Sequence, residues 1–308
     1  MFVQQTTLFD DVQYSRIMHD HVVNVASVPQ LSPFRYPGGK TWLVPYIRHW
    51  LSPLLRQQNN LTPIRPAEFI EPFAGGGIIS LTVAAENLAN RITMVEIDED
   101  VAAVWQTIFH EELWKWLTQA IVSFDLTDEN IERFFARTDL TLQEWALKTI
   151  LRNRVNRGGI LAHGAGRIKN GEAGKGIRSR WYPLTLAKRI QNITSLHEQI
   201  TFVHGDGMRV LKQYVDHPDV AFFIDPPYTV AGKKAGNRLY TYSEVDHQAL
   251  FEIASQLRGD FLMTYDDTDE VRSLAHLHNF DMQAVAMKST HHAKMQELLI
   301  GKDLSWLR

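Results

Sequence analysis

Ala67-Glu68-Phe69-Ile70-Glu71-Pro72-Phe73-Ala74-Gly75-Gly76-Gly77-Ile78-Ile79-Ser80-Leu81 is the stretch that decides the fold. Its first five residues read as a short buried strand, the glycines as a tight turn, and Ile78 to about Leu88 as a helix. Ile92–Ile97 follows as a second strand, and a further helix begins near Glu99. Strand, glycine turn, helix and strand in that order predict a parallel sheet with crossover helices. On the N-terminal side, Trp42, Leu43, Tyr46, Ile47 and Trp50 recur at helical spacing, which predicts a helix from Thr41 to about Gln57 before a polar loop at 58–66. Residues 1–33 show no sustained period and read as an arm. On the C-terminal side the strand signal vanishes between Trp114 and Ile200, leaving helical patterns at 111–122, 128–137, 141–156 and from Pro183 to about Glu198. Strands resume at Ile200–His204, Val220–Ile224 and Asp260–Tyr265, with helices near 207–215 and 244–257. Asp281–Met287 and Gln296–Gly301 read as a closing antiparallel pair. The expectation is one α/β domain, split into 34–110 and 200–308 by a helical insert at 111–199.

Composition excludes several classes. The 308 residues are 44% hydrophobic and 22% charged, which rules out a disordered or fibrous chain. No apolar run reaches the ~18 residues of a membrane span, and Met1–Gln5 lacks the basic start of a secretory signal, so a cytoplasmic place is expected. The absence of cysteine removes disulfides, thiolate metal sites and thiol nucleophiles together. The net charge of −3 hides an asymmetry. Residues 148–191 hold eleven basic residues and one acid, a balance of +10, so the rest of the chain stands at −13. A single-sign block of this kind is the electrostatic footprint of a polyanion site, where a solvated helix face would mix signs. Within it, Gly158 to Gly176 carries seven glycines and reads as a long loop able to lie against phosphates and to order on binding.

Three motifs carry chemistry. In Glu71-Pro72-Phe73-Ala74-Gly75-Gly76-Gly77 the glycines let backbone turn sharply and approach a ligand, and the helix behind favours an anionic group at its N-terminus. The run lacks the full GxGxxG spacing of dinucleotide sites. The next strand ends in Val95-Glu96-Ile97-Asp98, and either Glu96 or Asp98 could accept hydrogen bonds from ribose hydroxyls. In Phe222-Phe223-Ile224-Asp225-Pro226-Pro227-Tyr228 an apolar strand delivers an acid to its carboxyl end, two prolines stiffen the turn, and an aromatic ring follows. An acid, the Pro226 carbonyl and a stacking ring suit a planar group bearing an exocyclic amine. Phe34-Arg35-Tyr36-Pro37-Gly38-Gly39-Lys40 presents two glycines and a cation before the first helix, without the spacing of a Walker loop.

Together these motifs resemble the Dam-type DNA adenine-N6 methyltransferases. That family has an aromatic-x-Gly-Gly-Lys segment, then Glu-Pro-Phe-x-Gly-x-Gly, a helical target-recognition insert and Asp-Pro-Pro-Tyr, the order found here at 36–40, 71–77, 111–199 and 225–228. Val203-His204-Gly205-Asp206, Tyr242-Ser243 with His247, and Lys294–Ile300 extend the likeness to roughly 34–302. The resemblance implies a Rossmann-like S-adenosylmethionine-dependent methyltransferase sheet. It implies S-adenosylmethionine as cofactor, contacted by Tyr36, Lys40, Phe73, Gly75, Gly77, Glu96, Asp206 and Asp225. Glu96 stands where the family often has Asp, one methylene shorter. Asp225, Pro226 and Tyr228 match the catalytic turn. Double-stranded DNA is the implied partner, and the chain is expected to be a monomer or weak dimer. Arg154, Asn156, Arg157, Arg167, Lys169, Lys175, Arg178 and Arg180 are the candidate DNA contacts of the insert.

On this reading the N6 amine of a flipped-out adenine attacks a sulfonium methyl without metal or covalent intermediate. Methylation of RNA or of cytosine N4, and a non-catalytic DNA-binding role, are the rivals. Asp rather than Ser at position 225 favours adenine by the resemblance. Gln5-Thr6-Thr7-Leu8-Phe9 is similar to the short peptide that docks bacterial DNA enzymes on the replication sliding clamp, with Gln5, Leu8 and Phe9 as anchors. Blander readings suit the rest: His291-His292 as a hairpin turn, His163 as a phosphate or solvent contact, and Trp105, Trp114, Trp116 and Trp145 as packing.

Overall fold

The computed structural model describes residues 28–36, 38–52, 65–162, 164–227, 245–288 and 294–308. Gln5, Leu8, Phe9, His163, Tyr228, Tyr242-Ser243 and His291-His292 lie outside the described residues.

Seven strands form one sheet: β1 (Glu68–Glu71), β2 (Arg91–Glu96), β3 (Ile200–His204), β4 (Val220–Ile224), β5 (Asp260–Asp266), β6 (Asp281–Lys288) and β7 (Lys294–Gly301). Their order is β3-β2-β1-β4-β5-β7-β6, with β1 to β5 mutually parallel and β7 antiparallel to both β5 and β6. From β1 the chain winds outward through β2 to β3, then returns to place β4 on the other side of β1. The crevice at the carboxyl ends of β1 and β4 is therefore the topological switch point, where open α/β sheets bind ligands. This is the expected Rossmann-like sheet.

Period-two alternation divides the central strands between two cores. Phe69, Ile92, Met94 and Phe223 belong to one cluster, and Ile70, Val95, Phe222 and Ile224 to the other. Both faces are covered, so β1 and β4 are buried at every position. The first core is shared with the insert, because Leu117, Ile121, Ile131, Ile150 and Ile190 join the same cluster as Trp42, Ile79 and Trp105. The expected helices of the insert are present: α4 (Leu113–Ser123), α5 (Asp128–Phe135), α6 (Leu142–Val155) and α7 (Pro183–Thr194). They follow α1 (Val44–Trp50), α2 (Ile78–Ala85) and α3 (Glu99–Phe109).

Three differences from the sequence reading have physical causes. The first helix ends at Trp50, with Leu51 donating back to Ile47 O, because the residue before Pro53 is steered away from helical angles. The arm is already part of the fold at its end: Val28 is buried, Ser32 Oγ donates to Gly76 O at 2.5 Å and Arg189 donates to Ser32 O. After α8 (Gly207–Gln213) and α9 (His247–Gln256), a helix absent from the sequence reading, α10 (Asp269–Leu277), crosses from β5 to β6. It buries only Val271 and Ala275, too narrow a stripe to show as periodicity, although Thr268 caps it from sequence-visible position. None of the described helices is long and apolar enough to cross a membrane.

Candidate active site

The glycine turn is held from three sides. Gly75 N donates to Glu96 Oε2 at 2.8 Å, and Trp105 Nε1 donates to Gly75 O at 2.9 Å. Gly75 and Gly77 both take left-handed backbone, with φ of +48° and +63°. A Cβ on Gly75 would stand 2.6 Å from the Tyr36 ring, so the aromatic-x-Gly-Gly-Lys segment lies directly on the turn. The N-terminus of α2, expected to face an anionic ligand, meets the protein's own acid instead. Glu71 Oε2 accepts from Ser80 N at 2.9 Å and from Ser80 Oγ at 2.5 Å. Burial pushes the Glu71 carboxyl up to about 8, against the lowering effect of the Ser80 bonds and with further upward pressure from Asp225 and Glu96.

The two acids after β2 separate cleanly. Asp98 caps α3, accepting from Asp100 N at 2.9 Å and Val101 N at 3.3 Å. Glu96 stays at the strand end with Oε1 accepting from Ile97 N and Asp98 N, both at 2.8 Å. Its carboxyl is raised to about 7 by burial, which outweighs the hydrogen bonds it receives. Asp206 is exposed at the end of β3, accepts from Met208 N at 2.9 Å and is followed by Gly207, where a Cβ would strike Pro72 O. Glu71, Glu96 and Asp206 therefore stand at the carboxyl ends of three adjacent strands. Phe73 is half-buried against the second core.

Asp225 follows β4 at the switch point. Its Oδ1 accepts from Thr264 Oγ1 at 2.7 Å and lies 3.1 Å from Lys40 Nζ. Lys40 also lies 2.7 Å from Glu297 Oε1, and both Lys40 and Glu297 are buried. Tyr36, Lys40, Gly75, Glu96 and Asp225 are thus gathered at one edge of the sheet. Glu71, Thr264 and Glu297 are additions that the sequence reading did not single out. Pro226 is buried on the same turn.

The basic insert divides into two sets. Arg152 pairs with Asp100 at 2.6 Å, Lys148 donates to Arg137 O, and Arg178 donates to Leu126 O at 2.8 Å and lies 3.3 Å from Asp125. Arg167 pairs with Glu132, and Arg180 with Glu172. Arg157, Lys169 and Lys175 are exposed and have no side-chain partner among the described residues. Two expected DNA contacts need correction. Arg154 is 5% exposed and donates to Pro33 O at 2.6 Å, with burial drawing its guanidinium down to about 9. Asn156 is buried and donates to Ile160 O at 2.7 Å. Both side chains are buried and make these hydrogen bonds to the protein's own backbone.

A family model for the D12 class of N6 adenine-specific DNA methyltransferases matches residues 36–286. The chain belongs to this family. It is therefore an adenine-specific DNA methyltransferase, acting on DNA with a methyl donor of the S-adenosylmethionine type. The D12 match begins at Tyr36 and spans the glycine turn, the insert and the Asp225 turn, but stops short of β7. No curated protein matches the sequence. Among solved structures the chain is similar to the rRNA methyltransferase aviRa from Streptomyces viridochromogenes, at 11% identity over 92% of this chain and 96% of that chain, with a TM-score of 0.41. It is also similar to precorrin-6y C5,15-methyltransferase from Geobacter metallireducens GS-15, at 10% identity over 77% and 79%, with a TM-score of 0.31. Both likenesses are too distant to bear on function.

Proposed function

We propose that the protein binds S-adenosylmethionine along the carboxyl ends of β1 to β4, and that Asp225 and the Pro226 carbonyl hold the N6 amine of an adenine rotated out of duplex DNA. The observation that carries this reading is Asp225 at the switch point, its Oδ1 anchored by Lys40 and Thr264 beside the glycine turn. The donor set fits the cofactor. Glu96 Oε2 accepts from Gly75 N and, as a carboxylate oxygen, has capacity for a ribose hydroxyl. Asp206 stands one strand further out, and Tyr36 covers the turn.

When bound, S-adenosylmethionine supplies an electrophilic methyl group on a sulfonium sulfur. The chain supplies geometry and charge. The adenine amine is a weak nucleophile because its lone pair is delocalised into the ring. Acceptors at Asp225 and the Pro226 carbonyl draw on its N–H bonds, localise the lone pair and aim it. The amine proton becomes strongly acidic only as the nitrogen gains its fourth bond, so Asp225 need not remove it beforehand. Tyr228, by its place in the motif, stacks on the base. Turning the base out costs a few kcal/mol, and contacts from Arg157, Lys169 and Lys175 to phosphates offset that cost.

The test is transfer of labelled methyl groups from S-adenosylmethionine to duplex DNA. Wild-type protein is expected to label the duplex and Asp225→Ala to lose at least about 100-fold in rate. Near wild-type labelling by Asp225→Ala would sink the assignment. Docking of Gln5, Leu8 and Phe9 on a sliding clamp is a separate proposal, tested by clamp pull-down with and without residues 1–12, with loss on truncation expected.

A further inference from the structure

Glu297 is an acid that the reaction above leaves without a role. It lies on β7, beyond the residues matched by the D12 model, and is 3% exposed in a run with Leu298, Leu299 and Ile300, all fully buried. An ionised carboxyl in such a strand is strongly unfavourable unless it is paired. Among the described residues it pairs with Lys40, which lies closer to Glu297 than to Asp225, at 2.7 Å against 3.1 Å. Three segments far apart in sequence meet at this one buried ammonium: the loop before α1, the end of β4, and β7.

We propose that Glu297 is a positioning residue for methyl transfer, acting through Lys40 to hold the Asp225 carboxylate. The proposal rests on the reading of Asp225 given above. In the transfer, the N6 lone pair forms the new N–C bond while the electrons of the breaking C–S bond leave with sulfur. The nitrogen carries positive charge until its proton passes to solvent water. An Asp225 carboxylate whose cation is shared with Glu297 favours that charge more than one closed in a tight Lys40–Asp225 pair. Geometry works in the same direction. Drawn toward β7, the Lys40 ammonium holds Asp225 from one side, and Thr264 holds the same oxygen at 2.7 Å. Without Glu297, Lys40 would close on Asp225 and compete with the amine for it.

The experiment is single-turnover methyl transfer by the full-length protein with S-adenosylmethionine and an unmodified duplex. Glu297→Gln keeps the shape and removes the charge, and is expected to slow transfer by roughly 10- to 100-fold, as for other residues that act through a partner. Cofactor and DNA dissociation constants are expected to stay within about threefold, since the loss belongs to the transition state. Glu297→Asp, which keeps the charge, is expected to recover at least about fivefold over Glu297→Gln at matched folded fraction. In a Lys40→Gln background, Glu297→Gln is expected to add less than about threefold, because its route is already removed. Transfer by Glu297→Gln within about twofold of wild type, equal loss in the Gln and Asp variants, or losses that multiply in the double variant would overturn the proposal. If Glu297→Gln alone does not fold, the shortened Glu297→Asp decides: slower transfer at unchanged cofactor and DNA dissociation constants is expected, and transfer indistinguishable from wild type would overturn the proposal. Methylation retained by Asp225→Ala removes instead the reading on which the proposal rests.

Discussion

Gly77→Ala probes the turn on which the cofactor edge is built. Gly77 has φ +63°, where a residue with a Cβ costs about 1–2 kcal/mol. The added Cβ would stand 2.5 Å from Met94 Cε and 2.9 Å from Trp105 Cζ2. Met94 Cε is the end of a flexible chain and can move. Trp105 cannot: it is fully buried, stacked on Phe109 at 5.9 Å between centroids, and held by its bond to Gly75 O. Overpacking against such a neighbour adds about 1–3 kcal/mol, so the substitution is expected to destabilise by about 2–5 kcal/mol in all. Urea unfolding with unchanged m-value measures it. Gly75→Ala is the comparison, because its Cβ meets the half-buried Tyr36 ring on the cofactor edge and not the fully buried Trp105. That variant is expected to lose about 1–2 kcal/mol from backbone strain, but to weaken S-adenosylmethionine binding more than its stability loss explains. A Gly77→Ala loss below about 0.5 kcal/mol, or a reversal of the two variants, would refute the packing account of the turn.

Three further outcomes are expected. Glu71 has its carboxyl raised from 4.5 to about 8, so the folded state holds a proton that the unfolded state has released over that interval. Its contribution is complete below pH 4.5 and is lost as pH rises toward 8, at about 1.4 kcal/mol per pH unit. Glu71→Gln should flatten the stability profile there, and an unaltered slope in chemical denaturation would contradict this. Replacing Arg157, Lys169 and Lys175 together by Ala should reduce the slope of log K against log salt for duplex binding by about 3. Fluorescence anisotropy across a salt series reads that change, and an unaltered slope would remove these residues from the interface. Arg154→Ala should leave the salt slope unchanged and destabilise the fold by about 2–4 kcal/mol through lost packing and stranded carbonyls, as measured by thermal unfolding.

The sheet was largely readable because its strands are the kind that advertise themselves. Phe69-Ile70 and Phe222-Phe223-Ile224 are buried on both faces and stand as continuous apolar runs between turn residues. Helix α10 was not, since two buried residues make no visible period. Glu96 could be separated from Asp98 only in three dimensions, because one accepts from a turn 21 residues away and the other caps the helix beside it. The basic block located the insert's charge correctly but said nothing of which charges were already engaged. Arg152 meets Asp100 across 52 residues and Arg154 meets Pro33 across 121, distances over which sequence carries no pairing signal. Glu297 did leave a trace, as a charged residue beside Leu298-Leu299-Ile300. Only the meeting of β7 with Lys40 gives that trace a meaning.

The most direct measurement is mass spectrometry of nucleosides from duplex DNA treated with the full-length protein and S-adenosylmethionine, wild type beside Asp225→Ala. The account predicts N6-methyladenine with the wild type and none above background with the variant. N4-methylcytosine, methylation that survives Asp225→Ala, or unmodified DNA with a folded, cofactor-binding wild type would contradict it.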